Sequence, residues 1–185
     1  NAISSLPTAG EIREIAEKIG VRPTKKLGQN FVIDANTCRK IVNTAEVGSE
    51  DIALEIGPGL GSLTLALMEK AKAVVAVEID NRLAAQLSLT AQSHGFDPTK
   101  LMVVNDDALN LKSLPVEPSV LVANLPYNVS VPVLIRILEL FPSIKSGVVM
   151  VQSEVADRLI AKPGSKGYGA PSVKCNWWAD LSSGG

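Results

Sequence analysis

From Asp51 onward, short apolar runs alternate with longer stretches of helical periodicity, and few architectures satisfy that pattern. Ile52–Ile56, Ala73–Val77, Leu101–Val104, Val120–Ala123 and Ser146–Val151 read as strands. Between and after them, Gly61–Lys70, Asn81–Gln92, Val131–Leu140 and Glu154–Ala161 read as helices, their apolar residues three and four positions apart. Pro132 is tolerated because it falls in a first helical turn. Strands that are apolar along their whole length must be buried on both faces, which a parallel sheet covered by helices provides. The alternation therefore predicts right-handed βαβ units and a doubly wound α/β fold. Hydrophobic residues make up 46% of the chain but aromatics only 4%, so aliphatic side chains must fill this core.

The first 48 residues have a different character, that of an N-terminal helical arm within a single catalytic domain spanning residues 1–185. Thr8 is placed to cap a helix over Glu11–Ile19, with Ile12, Ile15, Ala16 and Ile19 on one face and Gly20 to end it. Val21–Val32 reads as irregular, broken by Pro23 and Gly28. Asp34 can cap a second helix reaching about Ala45. At the other end, Pro163–Gly169 reads as a loop. Pro171–Trp178 is the last helical or strand-like stretch, with Trp177 and Trp178 expected to pack against something. Five strands are expected in all, and the non-Met start and the Ser-Ser-Gly-Gly end suggest a fragment.

The formal net charge of −1 lacks the strong basic bias of a dedicated nucleic-acid binder. Two local clusters stand out, Arg22 with Lys25 and Lys26, and Lys162 with Lys166; either a solvated face or a phosphate contact accounts for them. Cys38 and Cys175 are far apart and in no metal-ligand spacing. His94, the only histidine, lies in a polar stretch and reads as a loop residue, not a base. No metal constellation, signal peptide or membrane-length apolar run is visible, and a cytoplasmic location is expected.

Two motifs carry chemistry. Glu55-Ile56-Gly57-Pro58-Gly59-Leu60-Gly61 is a glycine turn leaving the first strand. Gly57 and Gly59 allow a ligand to approach the backbone, and Gly61 lets the next helix start close to the sheet. Glu78, at the end of the second strand, can accept both hydrogens of a ribose diol. Pro58 removes a donor that a pyrophosphate would need, which favours S-adenosylmethionine over a dinucleotide. Asp107, after the third strand, can accept from an adenine amino group or cap a turn, with Asp106 as its competitor. The second motif, Asn124-Leu125-Pro126-Tyr127, ends the fourth strand. An amide oxygen and a backbone carbonyl can accept from an exocyclic amine, and an aromatic face can stack on the ring that bears it.

The ordered set Lys26-Leu27-Gly28-Gln29-Asn30-Phe31, the glycine turn with Ser62-Leu63-Thr64, Val77-Glu78-Ile79-Asp80, Asn124-Leu125-Pro126-Tyr127-Asn128, Gln152–Leu159 and Pro163-Gly164-Ser165-Lys166 resembles the small-subunit ribosomal RNA adenine dimethyltransferase family, from about Lys25 to Val173. The resemblance implies the class I S-adenosylmethionine-dependent methyltransferase fold, here truncated before the final strand pair and the small C-terminal helical domain. It implies dimethylation of N6 on two adjacent adenines near the 3′ end of small-subunit ribosomal RNA, with a role in subunit biogenesis. Asn30 and Val32 would touch the cofactor, Gly57 would line its methionine side, Glu78 would hold its ribose and Asp107 its adenine. Asn124 would sit between cofactor and target base. With the carbonyl of Leu125 or Pro126, it would take hydrogen bonds from N6, while Tyr127 stacks on the flipped adenine. Arg22, Lys25, Lys26, Lys162 and Lys166 are the candidate RNA contacts. The implied partner is the small ribosomal subunit, bound by a monomer without metal.

Four rivals remain at this stage. A large-subunit RNA methyltransferase of the macrolide-resistance type usually lacks the Gly-Pro-Gly turn and carries Ile where Leu125 stands. A DNA adenine methyltransferase more often has Asp in place of Asn124. A largely non-catalytic ribosome-assembly factor would keep the same motifs. A nicotinamide-dependent oxidoreductase would separate from all of these in a cofactor-binding assay.

Overall fold

The computed structural model describes residues 5–21, 34–125 and 128–150, and the backbone of residues 172–176 and 180–183. Two helices lead, α1 (Ala9–Lys18) and α2 (Ala35–Thr44). Each is capped as its sequence predicts: the Thr8 hydroxyl accepts from the Glu11 amide, and the Asp34 carboxylate accepts from the Thr37 amide. The alternating part follows as β1 (Ile52–Ile56), α3 (Ser62–Lys70), β2 (Ala73–Val77), α4 (Asn81–Ser93), β3 (Leu101–Val104), β4 (Val120–Asn124), α5 (Ser130–Leu140) and β5 (Ser146–Met150). The helix expected over Glu154–Ala161, the Pro163–Gly169 loop and the tryptophan pair Trp177-Trp178 lie outside the described residues.

The sheet has the order β3-β2-β1-β4-β5, all parallel, before two further strands. Alternate residues serve opposite layers. Ala53, Val74, Ala76, Val120, Val122 and Val148 face α2, α3 and α4. Leu54, Ile56, Val75, Val77, Leu121, Ala123 and Val149 face α5 and the segment around Leu111. Both layers are apolar, which is why the strands read as continuous apolar runs. At the N-terminal edge of the sheet, buried Asp51 accepts from the Gly48 amide at 2.8 Å, the Ser119 hydroxyl at 2.8 Å and Lys145 Nζ at 3.0 Å. One carboxylate thus staples the entries to β1, β4 and β5.

The structure corrects the expected end of the sheet. β6 (Ser172–Asn176) pairs antiparallel with β5, and β7 (Asp180–Ser183) pairs antiparallel with β6, so the sheet has seven strands and β5 is not its edge. β6 falls within the Pro171–Trp178 stretch read as helical or strand-like, but neither it nor β7 has the continuous aliphatic run that announces the parallel strands.

Candidate active site

In a doubly wound sheet the crevice opens where the chain reverses its order, beyond the carboxyl ends of the strands. Here that point lies between β1 and β4. Ile56 pairs with Ala123, so the next residues, Gly57 just past β1 and Asn124 at the end of β4, lie side by side. Gly57 has φ +74°, and a Cβ placed on it would overlap the Asn124 carbonyl oxygen. Its amide donates to the Val77 carbonyl at 3.0 Å, tying the turn to β2 as well. Gly61 (φ +96°) starts α3 against Leu87 of α4, whose Cδ1 would lie 2.7 Å from an added Cβ. The glycines are therefore set by close approach as well as by backbone conformation.

Two carboxyl groups underlie the turn. Glu78 is only 5% exposed; its Oε1 accepts from the Gly59 amide at 3.2 Å and its Oε2 from the Asp80 amide at 3.1 Å. Burial raises its pKa, the two amides oppose that, and the Asp80 charge adds to it. Glu55 is 1% exposed, and its pKa is pushed up to about 8, first by burial and further by the Glu78 charge. The Thr64 hydroxyl donates to Glu55 Oε1, while Oε2 has no hydrogen-bond partner among the described residues. Sequence reasoning treated Glu55 only as the first letter of a motif. Its signal was an acid inside an otherwise aliphatic strand.

The Asn105 side chain, which sequence reading missed, donates to the Glu78 carbonyl at 2.8 Å and so fastens the end of β2 to the end of β3. Asp107 is half-buried. Its Oδ1 accepts from the Leu109 amide at 2.9 Å and caps the short 3-10 turn Ala108–Asn110, the capping role that sequence reading held open. Asp106 is exposed and accepts from the Asp107 amide at 2.7 Å. Between Glu78 and this turn, the Ile79 side chain is 66% exposed, an apolar surface on the rim of the crevice.

Asn124 is partly buried at the end of β4. Leu125 continues the chain with its amide donating to the Met150 carbonyl at 3.1 Å and its side chain in the α5 layer. A role at the target amine can therefore come only from its backbone. Pro126, Tyr127, Asn30, Val32, Arg22, Lys25, Lys26, Lys162 and Lys166 lie outside the described residues. His94 lies in the turn just beyond α4, as a loop residue, but it makes contacts that the sequence did not suggest. Its ring sits at the C-terminal end of α4, with Nε2 2.8 Å from Glu11 and Nδ1 3.2 Å from the Ser5 hydroxyl, joining α4 to the start of α1.

The glycine turn, the acid at the end of β2 and the Asn at the β4 switch point define a Rossmann-like methyltransferase fold. Comparison with known proteins agrees. The profile of the ribosomal RNA adenine dimethylase family matches residues 21–183, and the chain belongs to that family. It is 56% identical over 185 residues to the ribosomal RNA small subunit methyltransferase A of Kineococcus radiotolerans, covering 100% of this chain and 62% of that relative. Among solved structures, a dimethyladenosine transferase from Plasmodium falciparum superposes with TM-score 0.62 at 32% identity, over 71% of this chain and 46% of its own. The 23S ribosomal RNA methyltransferase ErmE superposes with TM-score 0.61 at 33% identity, over 70% of this chain and 51% of its own.

Proposed function

We propose that this chain holds S-adenosylmethionine in the β1–β4 crevice and directs its methyl group to N6 of two adjacent adenines in small-subunit ribosomal RNA. The observation that carries the reading is the contact between Gly57 and the Asn124 backbone, which joins the cofactor turn to the target-base motif. The residues fit such a cofactor. The turn leaves no room for a side chain at Gly57, the buried Glu78 carboxyl would take the ribose, and exposed Ile79 would give the adenine an apolar wall, with Asp107 accepting from its amine. Asn30 and Val32 of the arm would close the site, and Gly59 would keep its amide on Glu78. Bound there, the sulfonium supplies an electrophilic methyl group.

The remaining work belongs to the protein. The adenine amine is a poor nucleophile because its lone pair is delocalised into the ring. Asn124 and the carbonyl of Leu125 or Pro126 would accept its hydrogens, favour a pyramidal nitrogen and aim the lone pair along the line of displacement. Tyr127 would stack on the flipped base and offset part of the few kcal/mol of unstacking. No histidine or cysteine base is needed. Arg22, Lys25, Lys26, Lys162 and Lys166 would neutralise RNA phosphates.

ErmE keeps a large-subunit target in view. The small-subunit reading rests on Pro58, Leu125 and the name of the Kineococcus relative, which is far more similar to this chain. A ribosomal substrate fits a cytoplasmic enzyme, and we take it to act as a monomer. No helix among the described residues is long and apolar enough to cross a membrane, and none of their His, Cys, Asp and Glu residues cluster as a metal site.

Two measurements test the reading. Calorimetry on Glu78→Ala should show S-adenosylmethionine binding weakened by ~1–3 kcal/mol, the loss of charge-assisted bonds to a ribose. Mass spectrometry of ribosomal RNA from cells with and without the gene should show the dimethylated adenines missing from the small subunit. A change confined to large-subunit RNA would transfer the assignment to the ErmE-like target.

A further inference from the structure

Helix α1 lies outside the βαβ units, yet two independent sets of contacts bring it to the cofactor turn. The first is apolar. Leu60, between Gly59 and Gly61, is buried with Ile12 and Ala16 of α1, Val21 just beyond it and Leu83 of α4, in a cluster separate from the two main core layers. The second is polar and runs through Arg82. Its Nη1 donates to the Gly20 carbonyl at 2.8 Å, and its Nη2 lies 3.2 Å from Asp80 Oδ2. Asp80 caps α4 by accepting from the Arg82 and Leu83 amides at 2.8 and 3.3 Å. Its own amide donates to Glu78 Oε2 at 3.1 Å, and the other Glu78 oxygen holds the Gly59 amide.

We infer that Arg82 is a positioning residue for the cofactor, coupling the docking of α1 to the geometry of Glu78 and the glycine turn. The inference rests on the reading of Glu78 as the ribose acceptor. Arg82 suits this task because a planar guanidinium can bind a carboxylate and a carbonyl at once, which an ammonium cannot do in the same fixed geometry. It also offsets the Asp80 charge beside Glu78. Burial pushes Asp80 up, but the Arg82 side chain and the capping amides outweigh it and hold Asp80 below its ordinary range. Without Arg82, α1 would keep its apolar contacts but lose its polar link to Glu78. Coupling is reciprocal, so a cofactor that fixes Glu78 must also tighten α1.

The test uses the 185-residue chain with Arg82→Met, which keeps the aliphatic stem, and Arg82→Lys, which keeps the charge. S-adenosylmethionine is titrated by calorimetry, and amide exchange is followed across Ala9–Lys18 with and without it. The expected result is about fivefold weaker binding for Arg82→Met, or ~1 kcal/mol, with partial recovery in Arg82→Lys. S-adenosylmethionine should slow exchange in α1 of the parent chain and do so less in Arg82→Met. Unchanged affinity in Arg82→Met, or α1 exchange indifferent to the cofactor in the parent chain, overturns the coupling while leaving the cofactor site intact. A parent chain that fails to bind S-adenosylmethionine overturns the site itself, and the coupling with it.

Discussion

Gly57 and Glu55, two residues apart on one strand end, show how much of the site depends on single side chains or their absence. Gly57→Ala places a methyl group against the Asn124 carbonyl at a positive φ, so strain and overlap add. We expect its affinity for S-adenosylmethionine to fall by about tenfold or more, because the turn can relax only by moving away from Asn124. Calorimetry showing parent-like affinity would mean that the contact is dispensable. For Glu55 the pH dependence is specific. Its pKa rises on folding from 4.5 to about 8, so its protonated form favours the folded state. That contribution is fully present below pH 4.5 and is lost as pH rises through 8. Glu55→Gln should therefore lose much of the decline in stability between those limits, measured by denaturant unfolding at a series of pH values. An unchanged pH profile in the variant would place the titration elsewhere. Cys38, by contrast, has a pKa pushed up to about 12, chiefly by burial and then by Glu55 and Asp34, so it should resist thiol reagents while the chain stays folded.

Elements were legible in the sequence in proportion to how strongly burial dictated their residues. The five parallel strands are buried on both faces, leaving aliphatic runs whose limits agree with the structure to within a residue. Helix α1 and helix α2 were marked by Thr8 and Asp34, because a cap needs an oxygen at one position. β6 was left open between helix and strand, and β7 escaped, because backbone pairing alone imposes little on so polar a stretch. In the candidate site, the glycine turn, Glu78 and Asn124 stood out in the sequence because close approach and charge restrict residue type. The Asn105 bond, the role of Arg82 and the His94 link were not, since each depends on residues distant in sequence meeting in space. The Asp51 staple belongs to this group too. Burial raises its pKa, but the Gly48 amide, Lys145 and Ser119 outweigh it and hold the carboxyl below its ordinary 3.8. Its stabilisation is thus present above that value and lost as pH falls through the folded pKa. Asp51→Asn should cost ~1–3 kcal/mol at neutral pH, with the difference from the parent chain shrinking in acid. A constant difference across that range would assign the loss to packing instead.

At the scale of the whole molecule, the sheet serves to bring two strand ends together at the point where its order reverses. The β2 and β3 ends supply Glu78 and Asp107, β1 supplies the turn and β4 the Asn motif, while α1 is fastened across the β1–α4 side. This chain spans 62% of the length of its Kineococcus relative. The role proposed for Asn124 is to act on the target amine from a position between cofactor and base. It is tested most directly by labelled-methyl transfer from S-adenosylmethionine to unmethylated small subunits, comparing full-length protein with its Asn124→Ala form after calorimetry has matched their cofactor occupancy. The variant should keep its cofactor and lose transfer by about 100-fold or more. Transfer at the parent rate, at equal occupancy, would contradict it.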